Sequence, residues 1–162
     1  MAGRKTLPPE DRFAVNIIEN SRNEVLLLKR CRNTRLGPGL WGFPAGHIET
    51  NESAEQSALR ELAEEVGTNN KLEKIRELGP IRDTFYGGKF EIWLFHYKWL
   101  HGTVLLNHEH TDFAWVSKQR FKNYAVMDGV DEDIFYLGIW PKHYLRQEKL
   151  PANHSSDPIL PH

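Results

Sequence analysis

Glu61, Glu64 and Glu65 stand in i, i+3 and i+4 relationships, so on a helix their carboxylates converge along one stripe. Like charges at these spacings repel by about a few tenths of a kcal/mol per pair. Holding three of them together is useful only beneath a positive charge, and a divalent cation is the economical one. Acidic stripes on helices are ordinarily solvated surface, so the weight of this one depends on the residues around it.

Other side chains in the chain have chemistry of their own. Arg30, Arg32 and Arg35 precede the breaker run Gly37-Pro38-Gly39, in a loop where guanidinium forks can receive the terminal phosphate oxygens of a substrate. Phe85, Tyr86, Trp93 and Trp99 have faces on which a base can stack, although aromatic residues in strands more often serve the core. His108 and His110 flank Glu109, but two histidines without a nearby cysteine make a poor zinc site. Cys31 lacks the partners of a cysteine nucleophile.

From Gly46 the chain reads GHIETNESAEQSALRELAEEVGT. Gly46, Glu52, Arg60, Glu61, Leu62, Glu64, Glu65 and Gly67 fall at the spacing G-x5-E-x7-R-E-U-x-E-E-x-G-U, with U a bulky aliphatic residue. This segment resembles the Nudix box of the Nudix hydrolases. Average residue usage produces such a match by chance in roughly one chain in a million or fewer. Thr68 departs from the last aliphatic position, which concerns packing after the helix and not the acidic groups.

The resemblance implies an α/β fold, an α/β/α sandwich around a mixed β-sheet, in which the box forms a loop, helix and loop that presents magnesium, with manganese as a substitute, to a diphosphate. It implies that Glu64 and Glu65 are the main metal ligands, that Glu61 is a further ligand or a water-activating base, and that the Gly46 carbonyl joins them. Arg60 would orient the acids and Glu52 would brace the loop against the helix. The family often adds an acid from a loop beyond the box, for which Glu109 is the candidate, as ligand and as catalytic group. Hard carboxylate oxygens suit magnesium, which is held by few protein ligands together with substrate phosphates.

The implied reaction is water attack on phosphorus in a nucleoside polyphosphate or nucleoside diphosphate derivative, nucleotide sugars included. The main alternative is a non-catalytic module of the same fold that binds or senses nucleotides, against which the intact acidic set argues. An isoprenyl diphosphate isomerase is a weaker alternative, because its chemistry needs a cysteine in a protonating pair and the surroundings of Cys31 resemble nothing specific to it. Family habit and the apolar run Phe135-Tyr136-Leu137 suggest a homodimer.

The elements that must position these groups are marked locally. Phe13 to Ile18 and Glu24 to Lys29 read as an opening hairpin, and Trp41 to Pro44 as a short extended piece. A helix is predicted from about Ala54 to Val66, with Ser53 and Gln56 at capping-box spacing and Gly67 just past its end. Ile75 to Tyr86 and Lys89 to Leu100 form a second hairpin around Gly87-Gly88, Phe113 to Val116 adds a strand, and a helix follows from about Val130 to Ile139, stopped by Pro141.

The chain of 162 residues fits one domain, expected over residues 12–150, with loosely held tails at 1–11 and 151–162. Lys and Arg total 21 against 22 for Asp and Glu, so nothing suggests a general grip on long nucleic acid. A single cysteine excludes an intrachain disulfide, and the absence of a signal-peptide core or membrane-length apolar run points to a cytoplasmic protein.

Overall fold

The computed structural model describes residues 8–35 and 37–151. Nine regular elements follow in order: β1 (Asp11–Glu19), β2 (Val25–Arg30), β3 (Trp41–Gly42), β4 (Ala45–His47), α1 (Ala54–Glu65), β5 (Asn70–Arg82), β6 (Phe90–Gly102), β7 (His110–Val116) and α2 (Val130–Leu137). Short 3-10 turns complete the described chain. The sheet runs β3-β2-β1-β6-β5, with β4 paired to β1 and β7 to β2. Because β1 and β6 run parallel from Asp11↔Phe90 to Glu19↔Lys98, the sheet is mixed.

Alternation along the strands divides the core in two. Ala14 and Ile18 of β1, Leu26 and Leu28 of β2 and Phe95 of β6 pack with Ala58, Leu62 and Val66 beside α1. The intervening Ile17, Val25, Leu27 and Leu94 pack with Ile134, Phe135 and Leu137 of α2 on the other face. One helix on each side of a mixed sheet is the predicted α/β/α sandwich.

Several local expectations are corrected. The opening hairpin pairs only at Glu19↔Val25, because β1 gives its edges to β4 and β6 while β2 turns to β7. Strand β5 begins at Asn70, not Ile75, since its polar NKLEK start pairs with β6 at an exposed sheet edge and lacks an apolar signature. It ends at Arg82, where the Asp83 carboxylate accepts the backbone N–H groups of Tyr86 and Phe90 and turns the chain before Gly87-Gly88.

Helix α1 follows its sequence signals. The Gln56 N–H donates to Ser53 Oγ at 3.1 Å, the Ser53 N–H donates to Gln56 Oε1 at 2.9 Å, and Gly67 follows the last turn with φ +91°. Helix α2 stops at Leu137, two residues short of Ile139, because Gly138 takes the left-handed conformation at φ 64° and closes the helix ahead of Pro141. Phe135, Tyr136 and Leu137 are all buried in the core, so the run that suggested a homodimer offers no apolar surface.

Beyond α2 the chain stays part of the fold. Trp140, Leu145 and Leu150 are buried, and the Trp140 indole N–H donates to the Asn23 carbonyl at 2.9 Å. The segments assigned to flexible tails lie outside the described residues at 1–7 and 152–162, while the chain is already in strand at Asp11.

Candidate active site

Helix α1 turns Ala58, Glu61, Leu62 and Glu65 toward the rest of the protein, the face expected from 3.6 residues per turn. Glu61 is 8% exposed and Glu65 3%, whereas Glu64 points to solvent. Opposite them lies β4. Gly46, paired with Ala14 of β1, stands so close to the Glu61 carboxylate that a Cβ there would overlap its oxygens. The Ala45 N–H donates to Glu65 Oε1 at 3.1 Å. Gly46 is therefore a glycine for close approach.

Arg60 organises the exposed side of the site. Its Nε and Nη2 donate to the two oxygens of Glu52 at 2.7 and 3.0 Å, its Nη1 to Glu61 Oε2 at 2.8 Å and its Nη2 to the His47 carbonyl at 3.0 Å. Glu64 Oε2 is 3.6 Å from the same guanidinium. The hydrogen bonds from Arg60, followed by the Glu49 N–H, lower Glu52 to about 2. Arg60 is raised in turn, first by Glu52. Box loop and helix are thus held together by one guanidinium.

Glu65 shifts the other way. Burial, then the hydrogen bond with Glu61 and its charge, push it up to about 9, with Glu109 adding to the repulsion. Two buried carboxylates cannot both ionise cheaply without a cation. Hard oxygen donors of this kind fit a hard divalent cation, and Glu61 and Glu65 with the close backbone of Gly46 are the residues placed to hold one. Among the described residues no three acidic, imidazole or thiol groups are gathered around a single point, as Arg60 draws Glu61 and Glu64 while Ala45 holds Glu65.

An open cleft of about 720 Å³ lies beside this site, with Arg30, Arg35, Cys31, His108 and Glu109 in its wall. Arg32, though exposed, is not among the lining residues. The Arg30 loop and the Glu109 loop meet through the Cys31 N–H, which donates to the Glu109 carbonyl at 2.9 Å. His110 is buried and lowered to about 4, by burial first and then by Arg30.

Sequence reasoning missed four residues of this cleft, Asp11, Asn33, Thr34 and His47, of which Asp11 and His47 face each other at 3.7 Å across β1 and β4. Nothing local marks Asp11; the β1–β4 pairing places it. Of the candidate stacking residues, Trp93 and Trp99 pack on the α1-side core and Phe85 lies beneath Lys149. Tyr86 is 48% exposed. It begins an aromatic row through Phe90 at 5.3 Å and Phe13 at 5.4 Å to His47 at 4.4 Å, centroid to centroid.

The chain matches the NUDIX domain family over residues 9–135 and belongs to that family. Over 55 residues, 34% of this chain, it is 43% identical to the 8-oxo-dGTP diphosphatase of Proteus vulgaris, covering 48% of that protein. It is 49% identical over 55 residues, again 34% of this chain, to an RNA pyrophosphohydrolase of Haemophilus influenzae, covering 26% of it. The chain thus spans less than half of the curated relatives it matches. Its fold superposes on the crystal structure of the MutT protein from Methanosarcina mazei Go1 with TM-score 0.63 and 25% identity, covering 75% of this chain and 87% of that one.

Proposed function

We propose that this protein is a metal-dependent pyrophosphohydrolase that cleaves a diphosphate bond in a nucleoside polyphosphate or nucleoside diphosphate derivative. The observation that carries the reading is the pair of buried carboxylates, Glu61 and Glu65, set against Gly46 and locked by Arg60 and Glu52 at the side of an arginine-lined cleft. Glu61, Glu64 and Glu65, with the Gly46 carbonyl and Glu109, hold magnesium, for which manganese substitutes. When bound, the cation offsets phosphate charge and acidifies a water.

The remaining work falls to the chain itself. Arg60 keeps the acidic groups in register with the box loop, and Glu52 anchors Arg60. Arg30 and Arg35 receive the phosphate oxygens bidentately, and Arg32 stands outside the cleft as a rim charge. The row Tyr86, Phe90, Phe13 and His47 offers stacking surface for a base. Relatives named for 8-oxo-dGTP and for RNA favour a nucleotide, free or at an RNA 5′ end, and the near-neutral charge balance favours the free one.

Turnover is to be measured on nucleoside triphosphates, oxidised nucleotides, dinucleoside polyphosphates, nucleotide sugars and a triphosphorylated RNA, each with magnesium, with manganese and in excess chelator. Cation-dependent cleavage of a member of this panel is expected, with release of phosphate or diphosphate from a triphosphate end, or of two phosphorylated fragments from a nucleotide sugar or dinucleoside polyphosphate. Tight nucleotide binding without turnover would favour the non-catalytic module, and full turnover in chelator would end the metal reading.

A further inference from the structure

Asn16 lies in the middle of β1 with no solvent exposure, on the strand face that Ala14 and Ile18 give to α1. An amide in an apolar core layer carries a free-energy cost unless all its hydrogen-bonding capacity is used. Here it is not. The Asn16 side-chain N–H donates to the Ala58 carbonyl of α1 at 3.1 Å, but its Oδ1 has no partner among the described residues. A leucine of similar volume would satisfy the packing of this layer without that cost.

What the amide does is geometric. The Asn16 backbone N–H donates to the Pro44 carbonyl at 2.8 Å, immediately before Ala45 and Gly46. One residue therefore ties the sheet to the box loop through its backbone and to the helix through its side chain. Ala58 precedes Glu61 by less than one turn, and Glu65 returns to the loop through the Ala45 N–H. The circuit Asn16, Ala58, Glu61–Glu65, Ala45–Pro44, Asn16 closes on itself. Ser57 Oγ, donating to the His47 carbonyl at 3.1 Å, ties α1 to the end of β4 outside this circuit and does not reach β1.

We propose that Asn16 is a positioning residue, whose side chain sets the height of α1 above the sheet and with it the separation of Glu61 and Glu65 from Gly46. It touches neither substrate nor metal. The assignment deepens the metal reading above and is tested partly without it.

Asn16→Leu and Asn16→Ala are compared with Ile18→Val, a packing change in the same layer that leaves the circuit intact. Three quantities are read: thermal midpoint, manganese affinity by calorimetric titration, and the change in amide hydrogen exchange across residues 54–66 relative to that in β1 and β2. Both Asn16 variants should bind manganese at least about tenfold more weakly and exchange faster in α1 than in β1 and β2, with Asn16→Leu melting no lower than the parent. Ile18→Val should lose stability while keeping affinity. Unchanged affinity and α1 exchange in a folded Asn16 variant would overturn the proposal, as would losses matched by Ile18→Val in proportion to stability. If the parent itself binds no manganese, the metal reading fails, and the α1 exchange comparison still decides the role of Asn16.

Discussion

At the scale of single residues, Glu65 combines deep burial, one backbone hydrogen bond and a like-charged neighbour. Its folded-state pKa lies above the unfolded value, so between about pH 4.5 and pH 9 the unfolded chain releases this proton first and stability falls as pH rises. In chelator, the thermal midpoint should therefore drop from about pH 6.5 to pH 9, above the range in which His110 titrates, and magnesium should restore it increasingly toward the alkaline end. Glu65→Gln should flatten the pH dependence and melt higher than the parent at pH 8 without cation. The same variant should lose turnover on the order of a hundred- to several-thousand-fold, as expected for about 3 to 5 kcal/mol of transition-state stabilisation. Glu55→Gln is the control on the same helix: Glu55 is exposed and bonded to Lys74 at 2.8 Å, so its loss should change stability by less than about 1 kcal/mol and leave turnover unchanged. A Glu65→Gln enzyme with parental activity would remove Glu65 from the site.

At the scale of elements, β4 and α1 approach as closely as they do because Gly46 has no side chain. Gly46→Ala should force the Glu61 carboxylate aside, weakening manganese binding about tenfold or more, while the fold loses only about 1 to 3 kcal/mol by the usual cost of overpacking. Urea unfolding and metal titration on one sample separate the two effects. The C-terminal segment is a second element-level device. Arg146 donates its backbone N–H to Asp131 at 2.8 Å, its Nη1 lies 3.4 Å from the same carboxylate, and its Nη2 donates to the Tyr124 carbonyl at 2.5 Å. Asp131 is 1% exposed, so Arg146→Leu strands a buried acid and should cost about 2 to 4 kcal/mol in urea unfolding. Metal affinity should survive it, since α2 packs on the sheet face opposite α1.

At the scale of the whole molecule, the cleft exists because the ends of β1, β2, β4 and β7 meet there, and His110, buried next in sequence to the lining residue Glu109, contributes to global stability. Its folded-state pKa of about 4 lies below the ordinary value of 6.5. The stability it supports is complete above pH 6.5 and is lost as pH falls toward 4, by up to about 3 kcal/mol at 1.36 kcal/mol per unit. His110→Phe should remove that acid-limb slope from a pH series of urea midpoints; an unchanged slope would assign acid sensitivity to other groups. No helix among the described residues is long and apolar enough to cross a membrane.

Helix α1 was legible in the sequence because everything that specifies it is local: the acidic i, i+3, i+4 stripe, the Ser53–Gln56 cap, and Gly67 at the stop lie within one short segment. The roles implied for Arg60, Glu52 and Gly46 correspond to contacts within that segment or with the strand next to it. Asp11, Asn16 and His47 carried no such mark. Their neighbours come from the parallel β1–β6 ladder, the β1–β4 pairing and the burial of one strand face against α1, all contacts between residues far apart in the chain. Strand β5 was misplaced for a related reason, since an edge strand with a polar start gains its order from the β6 ladder and not from apolar alternation. Sequence alone determined the acidic groups and the helix that bears them, because hydrogen bonds between near neighbours encode both. Tertiary pairing alone decided which side chains enclose the cleft and how high the helix stands over the sheet, because those distances are set by strand register and core packing, which no short stretch of chain contains.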